Sequence, residues 1–325
     1  MHPAVYVKVR TGQTYTQHRK LTCLRYPRIN DITTSIHSGA RFEGSIGVVG
    51  AGRLGGALAT ALLAAGYAVS RVASRTHERA EALATRLEGA RAVEAAAVVG
   101  ECDLVVLAVP DAAIEAVAAA LPWRAGQAGV HCSGALGLDV LAAVSAAGGL
   151  VGCLHPLQSF PSLDGAVERF RGVTCGIEAA TPLDGWLATM ARDLGARPLD
   201  LAGVDRALYH AAAVLVSNDA VALMAAATQV WSAAGLPREE ARGALAPLLL
   251  GAARNIQESE LHRALTGPVA RGDVATIERH LRALQAVAGR PELAHLYRAL
   301  ARQLLGLPLD LDPATRARLA AALEG

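Results

Sequence analysis

Ser45-Ile46-Gly47-Val48-Val49-Gly50-Ala51-Gly52-Arg53-Leu54-Gly55-Gly56 is the stretch on which the fold turns. A short apolar strand, Ile46–Gly50, runs into a Gly-x-Gly-x-x-Gly turn, and a helix pattern extends from Leu54 to Ala65 until Gly66 stops it. The first glycine permits a tight turn, and the second lets a pyrophosphate approach the backbone. The third lets helix and strand pack closely, with the helix N-terminus facing the phosphates. The spacing alone carries little, but a strand before it and a helix after it are the context this chemistry requires. Gly50, Gly52, Arg53, Leu54 and Gly55 are therefore expected to cradle a nicotinamide dinucleotide.

Outward from that turn, strand and helix signals alternate. Ala68–Ala73, Arg91–Val93, Leu104–Val109, Ala128–Cys132, Leu150–Leu154, Val173–Ile177 and Arg197–Leu201 read as strands. The continuous apolar run at Leu104–Val109 is typical of a strand covered on both faces. This alternation predicts an α/β fold with a doubly wound parallel sheet of Rossmann type. From Gly203 the strand signals stop. Helix patterns follow at Asp205–Ala234, Arg238–Gln257, Val274–Ala288, Pro291–Leu305 and Pro313–Leu323. The expected organisation is a flexible leader at 1–44, a nucleotide-binding domain at 45–202 and an all-helical domain at 203–325. The helix at Asp205–Ala234 is apolar nearly all round, which predicts burial at the centre of the helical domain or at a dimer interface. Asn218, Asp219 and His210 interrupt it and argue against a membrane span.

Composition supports a large core: 52% of the 325 residues are hydrophobic and 18% charged, well away from the disordered class. A net charge of +2 is too small to suggest nucleic-acid or membrane partners. The leader holds seven basic residues (Lys8, Arg10, Arg19, Lys20, Arg25, Arg28, Arg41) against Asp31 and Glu43, so the body is slightly acidic. Five cysteines without CxxC spacing give no disulfide framework and no metal site, and a cytoplasmic location fits best.

The second strand ends in Ala73-Ser74-Arg75-Thr76. Where an NAD site places a carboxylate for the ribose, this chain offers a guanidinium and two hydroxyls, which suit a 2′-phosphate. NADP(H) is thus the expected cofactor, held at Ser74, Arg75 and Thr76, with Val109 and Pro110 passing the nicotinamide ribose. Asp111 reads as a cap for the helix that follows. His131-Cys132-Ser133-Gly134 and His155-Pro156 both follow strands and should face one crevice. The proline restricts His155 to an extended backbone. His155 and His210 are the candidate proton carriers, and Ser133, Asn218 and Thr266 the candidate substrate-holding groups. In the turn Thr266-Gly267-Pro268 to Arg271-Gly272-Asp273, loop closure over substrate and plain turn chemistry are both open.

Together GAGRLG, LAVPD, HCSGALGLDVL, GCLHPLQSFP, DRALYHAAAVLVSNDAVAL and LTGPVARGDVATIERHL resemble an uncharacterised bacterial family. That family joins a Rossmann-like domain to a helical C-terminal domain of unknown function. The wider resemblance is to the 6-phosphogluconate dehydrogenase-like group, with ketopantoate reductase, pyrroline-5-carboxylate reductase and prephenate dehydrogenase. It implies an active site between two domains, a homodimer formed through the helices, and hydride transfer between NADPH and a small carbonyl or hydroxy compound. A 2-keto acid such as ketopantoate is the implied substrate. Many of the hydroxyacid dehydrogenases use a lysine and an asparagine on the first long helix, whereas this helix has His210 and Asn218 and no lysine. That departure leaves a second reading, a non-catalytic NADP(H) sensor.

Overall fold

The computed structural model describes residues 39–324. The chain divides into two compact units within one helix, Thr33–Ala225 and Ala226–Gly325. In the first unit the order is β1 (Ile46–Val49), α1 (Arg53–Ala64), β2 (Val69–Ala73), α2 (His77–Ala84), β3 (Arg91–Ala92), α3 (Ala95–Glu101), β4 (Leu104–Leu107), α4 (Asp111–Ala120), β5 (Ala128–His131) and α5 (Ala142–Ala146). Then come β6 (Leu150–Pro156), α6 (Ala166–Phe170), β7 (Thr174–Ala179), α7 (Leu183–Asp193), β8 (Arg197–Asp200), α8 (Arg206–Val216) and α9 (Asn218–Ala233), which crosses the division.

All eight strands form one sheet, in the order β3-β2-β1-β4-β5-β6-β7-β8. The strands from β3 to β6 pair in parallel, as expected. β7 is the exception in the expected parallel sheet, for it pairs antiparallel with β6 before β8 returns to a parallel pairing with β7. The apolar run of β7 suits either direction, so its sequence does not reveal which is used. One core layer packs α1, α2 and α7 against the sheet around Leu58, Leu62, Leu83 and Leu187. The opposite layer uses Val98, Val99, Ile114, Leu141 and Val144. Both faces are therefore covered, which is why β1, β4 and β5 are buried at every residue.

The end of the predicted leader belongs to this fold. Phe42 is buried, with its ring centroid 5.2 Å from that of Trp186 on α7. Arg41 lies over the Tyr67 ring at 4.2 Å and pairs with Asp193 at 3.2 Å, while Thr189 Oγ1 donates to the Gly39 carbonyl. Residues 39–44 are thus anchored by an aromatic pair and by the Asp193 carboxylate, which also accepts from Tyr67 Oη at 2.8 Å, and a flexible leader to residue 44 is corrected to that extent. The rest of the leader, Cys23 included, lies outside the described residues.

The expected single helix from Asp205 to Ala234 is two, broken at Ser217, whose backbone (φ −111°, ψ −73°) departs from helical geometry. Burial at the centre of the helical domain is not what the fold provides, since these helices are exposed in the single chain, which leaves the dimer-interface alternative. Leu208, Leu215, Val216 and Val221 are each at least 66% exposed, and the one buried residue of α8 is a charge, Arg206. Taken as one stretch, Arg206–Ala233 contains an 18-residue window of mean hydropathy 1.6 with none of it buried.

The second unit continues through α10 (Ala241–Glu258), α11 (Leu261–Ala264), α12 (Val274–Gln285), α13 (Pro291–Leu305) and α14 (Pro313–Leu323). Ile277, Leu281, Ala301, Leu305, Leu319 and Leu323 close a core among α12, α13 and α14. Arg271-Gly272-Asp273 is turn chemistry: Gly272 takes φ +69°, and Asp273 caps α12 by accepting from the Thr276 N–H at 3.0 Å.

Candidate functional site

Because β1, β4, β5 and β6 are neighbours and parallel, their C-terminal ends line one edge of the sheet. The register sets Val49 opposite Leu107, Leu107 opposite His131, and His131 opposite Cys153. The glycine turn, the Val109-Pro110 segment, His131 and His155 therefore follow one another at strand spacings of about 4.8 Å. Strand order reverses between β1 and β4, which is where open α/β sheets form a ligand crevice.

The glycine turn fits a phosphate-bearing ligand on structural grounds. Gly50 has φ +119°, and a side chain there would overlap the Ala108 carbonyl. This glycine brings the turn hard against the Val109 segment. A Cβ on Gly55 would overlap the Gly50 carbonyl oxygen. At Gly52 the surroundings are open, with no atom within 4 Å of where a Cβ would sit. Gly52 also caps α1 without any side-chain hydrogen bond, and the first turn carries no acidic residue. The N-terminus thus presents its amide donors and positive dipole end unopposed. Arg53 is exposed and Leu54 half-buried; at the end of β2, Ser74 is half-buried while Arg75 and Thr76 are exposed. Pro110 caps α4, so Asp111 sits inside that helix; its carboxylate accepts from Ser133 Oγ at 2.6 Å instead of capping.

β5 ends at His131, whose Nδ1 accepts the Ser133 N–H at 3.1 Å. Its Nε2 is buried without a well-formed hydrogen bond. Ser133 Oγ accepts the Ala135 and Leu136 N–H groups at 3.1 and 3.2 Å while donating to Asp111. That hydroxyl is fully occupied in shaping the loop.

His155 lies within β6, one residue further along the strand than the apolar run suggests, and pairs with Gly176 of β7. The absence of a side chain at Gly176 makes room for Tyr209 Oη, which a Cβ there would crowd at 2.7 Å. Tyr209 Oη and His155 Nδ1 are hydrogen-bonded at 3.0 Å. His210, next on α8, is edge-on to His155 with ring centroids 6.3 Å apart. Both imidazoles rest on Gly134, where a Cβ would stand 2.9 Å from His155 Nε2 and 2.9 Å from His210 Cδ2. Asn218 does not join them: it opens α9, about two turns beyond His210, and is exposed, its Oδ1 accepting from Ser217 Oγ at 3.0 Å. Thr266 lies in the second unit, exposed in the turn before α12. The sequence reading missed Tyr209, Arg206 and Glu178; Arg206 pairs with Glu178 at 3.1 Å.

Burial, then the neighbouring His210 and the Arg206 charge, push His155 down to about 4, and burial with Arg206 does the same to His131. Burial also pushes the Tyr209 phenol up to about 12. At neutral pH these three groups are uncharged. In the unfolded chain a histidine titrates near 6.5, so between there and pH 4 the unfolded state binds more protons than the native one. Stability is therefore complete above pH 6.5 and falls as pH drops through that window, by about 1.4 kcal/mol per pH unit for each histidine. Thermal melts between pH 7.5 and 4.5 should show this fall, and His131→Gln and His155→Gln should each flatten it.

Residues 31–156 match a Rossmann-like domain model, and residues 173–304 match the domain of unknown function DUF2520. No match was found among curated proteins. Among solved structures, a Bacteroides fragilis protein described as a candidate NADP oxidoreductase is 29% identical, covering 81% of this chain and 98% of its own, with a TM-score of 0.64. A Thermotoga maritima protein is 26% identical over 85% of this chain and 98% of its own, with a TM-score of 0.61. A reductive aminase from Aspergillus terreus, solved with NADPH and ethyl-5-oxohexanoate, shares the fold at 19% identity and a TM-score of 0.56, over 86% of this chain and 99% of its own. The two domain matches part between β6 and β7, where the sheet turns antiparallel. The chain thus carries, in order, a segment similar to a Rossmann-like domain and a segment similar to the DUF2520 domain, as the resemblance implied.

Proposed function

We propose that the chain is an NADP(H)-dependent oxidoreductase acting on a small carbonyl or hydroxy compound. The observation that carries this is one sheet edge bearing both an unopposed helix N-terminus at Gly52 and two imidazoles in contact. The dinucleotide, when bound, supplies the hydride. The α1 amides hold its pyrophosphate, while Arg75, with Ser74 and Thr76, reads the ribose phosphate. Neutral His155, steadied by Tyr209, orients the reacting oxygen by hydrogen bonding, and His210 moves the proton. Ser133 contributes by shaping the loop rather than by touching substrate.

Arg206 is the one buried cation among the described residues up to Ala225, and Glu178 already matches it. A 2-keto acid such as ketopantoate would need its cationic anchor from elsewhere, so neutral ketones and imines belong in the same substrate panel. The non-catalytic sensor reading fits the lack of any lysine outside Lys8 and Lys20. A panel in which bound NADPH is never consumed would favour it.

Arg75→Ala tests the cofactor assignment. It should raise the Kd for NADPH by about tenfold, near 1.4 kcal/mol, and leave NADH almost unchanged, as read by fluorescence titration. An equal effect on both nucleotides would remove Arg75 from 2′-phosphate recognition.

The exposed apolar faces of α8 and α9 fit a second copy of this chain, because contiguous apolar surface of this kind marks an interface. The expected species in light scattering is a homodimer. Leu215→Glu with Val216→Glu should shift it to monomer, and a wild-type monomer would remove the assignment.

A further inference from the structure

Arg206, Tyr209 and His210 occupy one turn of α8, at spacings that put them on a common face. Each meets a different part of the sheet edge. Tyr209 reaches His155 on β6, and His210 rests on Gly134 beyond β5. Arg206 makes the largest set of contacts. Its Nε donates to the Gly134 carbonyl at 3.2 Å, and its Nη2 donates to the Ser133 carbonyl at 2.8 Å and to Cys153 Sγ at 2.9 Å. Nη1 pairs with Glu178 Oε2 on β7 at 3.1 Å.

The need for such a group follows from the backbone. The parallel ladder of β5 ends at His131, so the Ser133 and Gly134 carbonyls are buried beyond the reach of strand pairing. Without Arg206 the Ser133 carbonyl would keep only the Cys153 thiol, at 3.4 Å, and an unpaired Gly134 carbonyl would cost on the order of 1–3 kcal/mol. A planar guanidinium can serve two carbonyls and a carboxylate at once, whereas an ammonium carries the charge without that fixed fork. The Ser133–Gly134 segment is also the surface on which both imidazoles lie. Its placement therefore sets theirs.

We propose that Arg206 is a positioning residue: its guanidinium fixes the Ser133–Gly134 loop to α8 and thereby aligns His155 and His210 with each other. The consequence for turnover rests on the function proposed above, but the alignment itself does not. Where Tyr209 donates to Nδ1, His155 holds its proton on Nε2, the nitrogen that faces Gly134 and His210. Loosening the loop frees the ring to exchange between tautomers, and a proton-transfer geometry misplaced by about 1 Å costs about 100-fold in rate.

The test uses full-length chain labelled with 15N-histidine, observed by NMR at pH 7, with NADPH as the titrant. The wild type should show His155 as a single neutral tautomer. Arg206→Lys and Arg206→Met should average its two ring-nitrogen shifts and move the His210 signals, while the Kd for NADPH stays within about twofold. Glu178→Gln, which keeps an acceptor for Nη1, should retain the wild-type pattern. If Arg206→Met does not fold, Arg206→Lys decides. Wild-type ring signals in a folded Arg206→Lys chain would overturn the proposal, because charge without the fork would then suffice. Loss of NADPH affinity in step with the tautomer change would overturn it as well, since that reports general loosening. Failure of the wild type to consume NADPH with any substrate would overturn the reaction and leave the ring signals to judge the alignment.

Discussion

Replacing Gly52 with valine is expected to raise the Kd for NADPH by at least about 100-fold, near 2.7 kcal/mol, while the melting temperature moves by no more than about 2 °C. The two halves of this result come from one geometric fact. No atom lies within 4 Å of where the new Cβ would sit, so the folded chain accommodates it without repacking. The same open space lies in front of the α1 amides, where a pyrophosphate must come within hydrogen-bonding distance of the backbone. A valine there excludes the ligand and spares the fold. Gly55→Ala is the contrasting variant, because its Cβ would overlap the Gly50 carbonyl oxygen and approach Ala108 Cβ at 2.9 Å. Helix and strand must part to admit it, at a cost of about 3 kcal/mol or more. Isothermal titration and thermal melts on both variants separate the roles. If Gly52→Val bound NADPH like the wild type, the turn would be a structural bend and nothing else.

The part of this molecule legible in its sequence is the part built from local spacing. The glycine turn, the alternation through β5 and the helices α13 and α14 follow from periodicity and from capping and breaking residues within a few positions of each other. The site was legible only as strand ends. His155 and His131 come into view because they terminate apolar runs, but their partners do not. Tyr209 looks like one more core residue of an apolar helix, and its access to His155 depends on Gly176, 33 residues earlier on another strand. Arg206 binds carbonyls more than 70 residues away, and backbone acceptors leave no mark on composition. The helices α8 and α9 show the converse. Their apolar character records that something covers them, yet a sequence reads the same whether the cover comes from its own chain or from another copy.

Of the two histidines, His210 is expected to matter more to turnover, and this reverses the usual preference for the more buried residue. His155, held down to about 4 by burial and by its cationic and imidazole neighbours, is protonated in only about 0.1% of molecules at pH 7. A group so rarely charged is a poor general acid, since efficient proton transfer wants a titration near the working pH. As a neutral donor it can still orient a carbonyl oxygen, which glutamine can partly imitate. His210 is half-buried and touches the same ring edge-on, so it is the remaining imidazole placed to deliver the proton. Once a panel of 2-keto acids, ketones, imines and prephenate has supplied a substrate, His210→Ala should lower kcat by about 1,000-fold, and His155→Gln by about tenfold. Both should leave NADPH affinity within about twofold, because neither side chain belongs to the glycine turn. The pH profile supplies the independent check. In His155→Gln the wild-type pH dependence of kcat should persist, and in His210→Ala it should change. A His155→Gln chain that lost both its rate and its pH dependence, beside a nearly active His210→Ala, would exchange the two assignments and require substrate binding to restore the protonation of a buried imidazole.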